Sequence, residues 1–169
     1  MTAGTSSSID TKKAERRALA FASLDELTTE LDQLGQAHAA GTLTTTGNWS
    51  FGQICEHLAI FWKAPIDGFP EGKPPLPLRL LAQWFFKKGA AAGNPPPAGF
   101  KYPASVTWLD PGDVSVEQGL AHLREQIDRT RSGARFTHPS PLFGTFSHDE
   151  WLRVQLGHCV LHLGFAKPG

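Results

Sequence analysis

Four serines, each followed three residues later by Glu or Gln, constrain the fold of this chain more than any other feature. The pairs are Ser23 with Glu26, Ser50 with Gln53, Ser115 with Gln118, and Ser147 with Glu150. In a capping box the serine hydroxyl accepts a hydrogen bond from the amide at the third position, and the side chain there bonds back to the serine amide. The four pairs therefore predict four helix N-termini.

Apolar residues at helical spacing follow each predicted N-terminus. They are Leu24, Leu27, Leu31 and Leu34; Ile54, Leu58 and Phe61; Val116, Leu120, Leu123 and Ile127; and Trp151, Val154, Leu161 and Phe165. We therefore predict amphipathic helices at about 24–39, 51–64, 116–131 and 148–165, and an all-α fold.

The second and third predicted helices are separated by an excursion, residues 66–113, that is dense in Pro and Gly. So long a connection indicates a functional segment. Within it "LPLRLLAQWFFKKG" predicts a short extra helix at about 77–88, with Trp84 and Phe85 on its apolar side. We interpret this helix as a cap that shapes a pocket. A membrane-surface helix is the alternative, because Arg79, Lys87 and Lys88 flank its aromatic face.

Charge and cysteine content limit the classes of function. Sixteen basic and sixteen acidic residues balance, and no basic stripe is present, which argues against nucleic acid as a partner. Cys55 and Cys159 are too few for a disulfide-framed secreted domain, so we expect free thiols and a cytoplasmic location. No apolar run approaches the ~20 residues that span a bilayer, so we expect no stable membrane insertion.

The length of 169 residues predicts one domain of ordinary size. We place it at residues 13–169, after a disordered polar N-terminus at residues 1–12. The predicted ligand class is a small-molecule substrate, and the sequence leaves open whether the chain forms a homodimer.

Three histidines are the candidate metal ligands. His158 and His162 lie four residues apart in "WLRVQLGHCVLHLGF", one helical turn from each other and on the broad apolar face. His57 lies on the apolar face of the second predicted helix. Three imidazoles with an open fourth position are typical of catalytic zinc sites. Histidines buried in the core without any metal are the alternative.

Other residues with reactive side chains receive weaker predictions. Cys55 and Cys159 are expected to pack as small hydrophobic residues, and Glu56 or Asp67 could supply a general base. Candidates for substrate contact are His138, in the loop before the last helix together with His148, and Trp84 in the extra helix. Trp49, just before the Ser50 cap, is interpreted as structural.

The segments "NWSFGQICEHLAIF" and "LGHCVLHLGF" resemble the two signature regions of the DinB/YfiT-like superfamily of metal-dependent four-helix proteins. The segments "RRALAFASLDEL", "IDGFP" and "HPSPLFGTFSHDEW" are similar to an uncharacterised subfamily within it. The resemblance implies an antiparallel four-helix bundle with a long connection between helices 2 and 3. It also implies a divalent ion, zinc or nickel, bound by His57, His158 and His162.

Activities known in that superfamily are thiol-dependent S-transfer, thiol-dependent maleylpyruvate isomerisation and metal-dependent hydrolysis. The resemblance therefore implies a metal-dependent enzyme, S-transferase-like or hydrolase-like, with a low-molecular-weight thiol as a further cofactor. The alternative is a non-catalytic metal- or ligand-binding bundle with a role in stress. The long excursion departs from the simplest members and is expected to alter the substrate pocket.

Overall fold

The computed structural model describes residues 8–70, 74–99 and 106–169, and helices dominate all three ranges. The helices are α1 (Leu24–Ala39), α2 (Phe51–Asp67), α3 (Leu76–Phe85), α4 (Lys87–Ala91), α5 (Val116–Arg131) and α6 (His148–Leu163). Two short strands, β1 (Thr44–Thr45) and β2 (Ala166–Lys167), pair in antiparallel fashion. The prediction of an all-α fold is confirmed.

Serine caps start the four long helices where the sequence predicts. Ser50, Ser115 and Ser147 each form both hydrogen bonds of the capping box. At Ser23 only one of the two capping-box hydrogen bonds forms. The Ser23 hydroxyl accepts from the Glu26 amide, but the Glu26 carboxylate accepts from the Ala22 amide instead of the Ser23 amide. Each cap satisfies amides that have no partner within the helix, so helix starts are well determined by local sequence.

Three helix boundaries differ from prediction. α2 continues through Pro65 to Asp67, because the Phe61 carbonyl, which lacks the usual amide donor at Pro65, accepts instead from Gln155 at 3.3 Å. α6 ends at Leu163, where the chain turns towards β2. The predicted helix at 77–88 forms as two helices, α3 and α4, which are interrupted at Phe86.

α2 and α5 approach each other until their backbones touch. A Cβ on Gly119 would lie 2.1 Å from the Gly52 carbonyl oxygen, so no side chain fits at this point. Farther along, the Trp62 indole N–H donates to the Thr130 hydroxyl at 2.9 Å. Contacts at the starts and at the ends of both helices show that α2 and α5 run in the same direction.

α1 and α6 each run opposite to the parallel α2–α5 pair. Asp32 pairs with Arg124 and Asp25 with Arg131, so α1 is antiparallel to α5. α6 is antiparallel to α2, as the Phe61–Gln155 contact and the histidine contacts below show. The parallel α2–α5 pair departs from the antiparallel arrangement expected for the bundle. The long connection is the reason, because it returns the chain to the end at which α2 starts.

The core lies between the four long helices. Its largest fully buried side chains include Trp62 of α2, Trp151 of α6, and leucines and isoleucines from all four helices. α4 covers α6 from outside, where a Cβ on Gly157 would lie 2.5 Å from the Gly93 carbonyl oxygen. The excursion is thus attached to α6 by backbone contact, which agrees with a cap.

Residues before α1 form a strap, residues 8–17, that crosses the ends of α2 and α6. Ile9 exchanges two hydrogen bonds with the Asn48 side chain, at 2.7 and 2.9 Å. Arg17 donates to the carbonyls of Leu163 and Ala166, and its guanidinium pairs with Glu30. Residues 1–7 of the predicted disordered N-terminus lie outside the described residues, and the domain limits at 13–169 stay a prediction. Among the helices described here, none is long and apolar enough to cross a membrane.

The close contact of α2 and α5 predicts that Gly119→Ala destabilises the fold. Overpacking against a backbone atom forces the helices apart, so we expect a loss of about 2 kcal/mol in the free energy of unfolding. Gly35→Ala is the matched control, because its Cβ would meet only the Leu120 side chain at 3.4 Å. There the gain in helix propensity predicts no loss and up to ~1 kcal/mol of stabilisation. Urea unfolding measures both, and equal effects of the two substitutions would contradict the assigned contact.

Candidate metal centre

The antiparallel packing of α2 against α6 brings three predicted ligands together. His57 projects from α2 towards α6, where His158 and His162 lie one turn apart. One ring nitrogen from each histidine lies within 4.8 Å of the other two. Among the described residues, these three histidines form the group with metal-ligand spacing.

The distances suit a small divalent ion. The Nε2 atoms of His57 and His158 are 3.3 Å apart. Two nitrogens that bind zinc at ~2.0–2.1 Å with tetrahedral angles are about 3.4 Å apart. The widest pair, at no more than 4.8 Å, would have to close by at most about 1.4 Å, a distance within side-chain rotation.

A hydrogen bond to the backbone orients His57. Its Nδ1 lies 2.8 Å from the Leu109 carbonyl oxygen, which can only accept, so the Nδ1 proton points there. The lone pair of the neutral ring is therefore on Nε2, the atom that faces His158. Metal-binding histidines commonly donate their second nitrogen in this manner.

His158 has no such support. Its Nδ1 is buried, and no hydrogen-bond partner lies nearby in the part of the chain that the structure describes. Phe61 packs against the ring at 4.3 Å between centroids. A buried polar nitrogen without a partner is unfavourable. The polar contact of this ring is made by its other nitrogen, Nε2, which lies 3.3 Å from His57 Nε2.

Burial keeps all three imidazoles neutral. Loss of solvent lowers the pKa of His57, although the Leu109 carbonyl and Asp110 act in the opposite direction. Burial, then the neighbouring histidines, holds the pKa of His158 well below its ordinary range. Burial and His57 do the same to the pKa of His162. Neutral rings with available lone pairs are the form in which histidine binds metal.

A cavity of about 280 Å³ opens beside the histidines. Three of its lining residues are His57, His158 and His162, here called the triad. The other walls are mostly apolar and come from four parts of the chain: Thr11; Gly47, Asn48, Trp49 and Ile54; Pro96, Pro97, Ala98 and Gly99; and Leu161 and Phe165. The excursion, through Pro96 to Gly99, and the strap, through Thr11, therefore both contribute to the pocket. No carboxylate is among these lining residues.

Trp49 and Leu109 are the site residues that the sequence did not reveal. The Trp49 ring stacks on His162 at 5.6 Å between centroids and lies 4.7 Å from His57. It was predicted to be structural, and its place just before the N-cap of the helix that carries His57 was the available signal. The Leu109 carbonyl, 52 residues from His57, has no sequence signal.

The weaker candidates lie elsewhere. Trp84 is 84% exposed, and neither it nor His138 lines the cavity, so their roles in substrate contact stay predictions. The Glu56 carboxylate pairs with His122, and Asp67 pairs with Arg129. His148 accepts from the Phe136 amide at 3.2 Å and stacks on that ring.

Both cysteines are fully buried in the core, as expected for packing residues. Burial raises the pKa of each thiol, and each also packs among apolar side chains of the core. Protonated thiols are poor nucleophiles and poor ligands. Cys55 and Cys159 therefore act as small hydrophobic residues in this fold.

The lowered pKa values predict that the metal-free protein loses stability in acid. Below the ordinary histidine pKa of 6.5 the unfolded chain binds protons that the buried His158 and the half-buried His162 do not. Stability is therefore full above that pH and falls below it, by roughly 1 kcal/mol for each group at one pH unit lower. Urea unfolding with chelator at pH 7.5 and 5.5 measures the effect. Replacing both His158 and His162 by Gln should flatten this pH dependence of stability, and an unchanged dependence in the double variant would contradict the assigned burial of the two rings.

Comparison with known proteins places the whole helical region in one family. A family model described as "Protein of unknown function (DUF1569)" matches residues 13–169, which include every helix and all three histidines. No curated protein and no solved structure matches the chain. The match extends over far more than half of the sequence, and the chain therefore belongs to the DUF1569 family.

Proposed function

We propose that this protein is a divalent-metal-dependent enzyme that acts on a small molecule, with His57, His158 and His162 as the metal ligands. One observation carries the proposal: three neutral imidazoles, two buried and one half-buried, converge from two helices to within 4.8 Å, beside a cavity. Two neutral core histidines can direct ring nitrogens at each other through one N–H···N hydrogen bond, as His57 and His158 can at 3.3 Å, but that bond does not need a third converging ring. A cation between them would use all three lone pairs.

Zinc or nickel is the ion that we propose. Imidazole is a ligand that suits zinc, copper, iron and nickel, and the set lacks the carboxylates that magnesium or calcium requires. Three protein ligands leave a coordination position free, as in catalytic sites and unlike closed structural ones. The cavity at the triad gives a small molecule access to that position.

S-transfer from a low-molecular-weight thiol fits the cavity better than hydrolysis. A bound divalent ion supplies Lewis acidity, which lowers the pKa of a coordinated water or thiol. Hydrolases commonly add a carboxylate or histidine as general base, and among the described residues the cavity lining offers none apart from the three histidines. Trp49, Leu161 and Phe165 provide apolar surface for an electrophilic substrate.

We also propose that the protein is a cytoplasmic member of the DinB/YfiT-like superfamily, with a four-helix bundle as its single domain. Support comes from four long helices in the expected order and from the long connection between α2 and α5. The two buried free cysteines agree with a reducing compartment.

A non-catalytic metal- or ligand-binding protein with a role in stress is the second candidate. The part of the cavity lining that the structure describes has no carboxylate, which favours this candidate, because a binding site needs no general base. Both candidate functions require the same three histidines. A measurement of metal content therefore tests the metal site, and a measurement of turnover distinguishes an enzyme from a binding protein.

Metal content tests the ligand assignment. After incubation with zinc or nickel and desalting, we expect about one ion per chain. The variant with His57, His158 and His162 all replaced by Ala should fall to background. His38→Ala is the matched control, since His38 is exposed at the end of α1, and it should keep the ion. Elemental analysis measures the content, circular dichroism checks the fold, and equal content in wild type and triple variant would contradict the site.

Turnover tests the enzyme proposal. Metal-loaded protein is assayed with low-molecular-weight thiols and haloalkane, epoxide or activated-alkene acceptors, and with esters and amides. We expect thiol-dependent product formation and a loss in kcat/KM of more than about 100-fold in His57→Ala. His122→Gln, at an exposed position on α5, should retain activity. If the metal-loaded protein accelerates none of these reactions, the binding protein becomes the better description.

A further inference from the structure

α3 presents its apolar face to solvent and its polar residues towards the protein. Large apolar side chains on this helix and just after it are more than half exposed: Leu76, Leu80, Leu81, Trp84, Phe85 and Phe86. Arg79 and Gln83 are partly buried, and Gln83 donates to the Leu142 carbonyl at 3.4 Å. Ala82 is the buried residue of the helix. This orientation is the reverse of that of an ordinary surface helix.

So much adjacent exposed apolar surface is typical of an interaction site. Trp84 is 84% exposed and Phe85 66% exposed, so the aromatic rings have little contact with the rest of the protein. Trp and Phe beside Leu are the side chains that enter the boundary between lipid headgroups and acyl chains. The composition of the face therefore agrees with a bilayer surface.

The charge of the segment around α3 indicates which kind of bilayer surface the helix would contact. Residues 72–109 contain no Asp or Glu but five basic residues, namely Lys73, Arg79, Lys87, Lys88 and Lys101. Since the whole chain has equal numbers of basic and acidic residues, the remainder is acidic. Basic residues next to an amphipathic helix attract anionic lipid headgroups, whereas two copies of this segment would repel each other.

We propose that the α3 face docks on a bilayer surface that contains anionic phospholipid. Leu80, Leu81, Trp84 and Phe85 enter the interface, and the exposed Lys88 contacts headgroup phosphates at its edge. Lys87 lies over the Phe146 ring at 5.4 Å and stays with the protein. The helix lies on the membrane and does not span it, since ten residues are too short to cross. The docking does not depend on the metal centre.

Vesicle binding of the full chain tests the proposal. The vesicles consist of phosphatidylcholine alone or with about one-third phosphatidylglycerol. We expect sedimentation with the anionic vesicles only, and weaker binding at about 0.5 M salt than at about 0.1 M. Leu80→Ser with Trp84→Ser should weaken binding at least about tenfold through lost apolar burial. Leu80→Ile with Trp84→Phe should retain it.

Charge reversal provides the matched comparison. Lys88→Glu should weaken binding at least about tenfold. Lys63→Glu changes the net charge equally at an exposed site on α2, and should leave binding near that of wild type. Three results would overturn the proposal: no binding of wild type to anionic vesicles, equal loss in both charge variants, or a dimer in light scattering that Trp84→Ser dissociates. Circular dichroism confirms that each variant is folded.

Discussion

The backbone contact between α2 and α5 is the constraint on which the rest of the structure depends. At Gly52 and Gly119 the two helices approach more closely than any side chain allows. This approach fixes the rotation of α2, so that Leu58 and Trp62 face the core while His57 faces α6. A rotation of α2 by one residue, about 100°, would remove His57 from the triad. The position of one candidate ligand thus depends on a contact at the opposite side of its helix.

Local sequence determines the helices, whereas the site depends on how they pair. Serine caps and apolar spacing are signals within one turn, which is why the starts of α1, α2, α5 and α6 could be predicted. The triad could be predicted as well, because His57, His158 and His162 lie on apolar faces. The direction of α2 relative to α5, the Leu109 carbonyl under His57 and the outward orientation of α3 involve residues far apart in sequence, and no periodicity encodes them.

The group of three histidines differs from a buried ion pair in its physical basis. Three neutral rings enter the core without the large desolvation penalty that a charged group meets. Charge would enter only with an ion, whose interaction with the three nitrogens then compensates for its own dehydration. The helices can therefore form before any ion binds, and the depressed pKa values keep the lone pairs of the triad available throughout the neutral range.

The strap at residues 8–17 has a consequence for the rate at which the cavity exchanges its contents. The strap forms part of the cavity wall through Thr11. The first residues of the strap, 8–12, are attached to the rest of the protein mainly by the two Ile9–Asn48 hydrogen bonds. Segments with few buried contacts open at far lower free energy than helices of the core. Opening of the strap would widen the path to His162 while α2 and α6 stay folded. Entry and escape of an ion or ligand would then follow the opening frequency of this short segment, independent of the global stability of the helices.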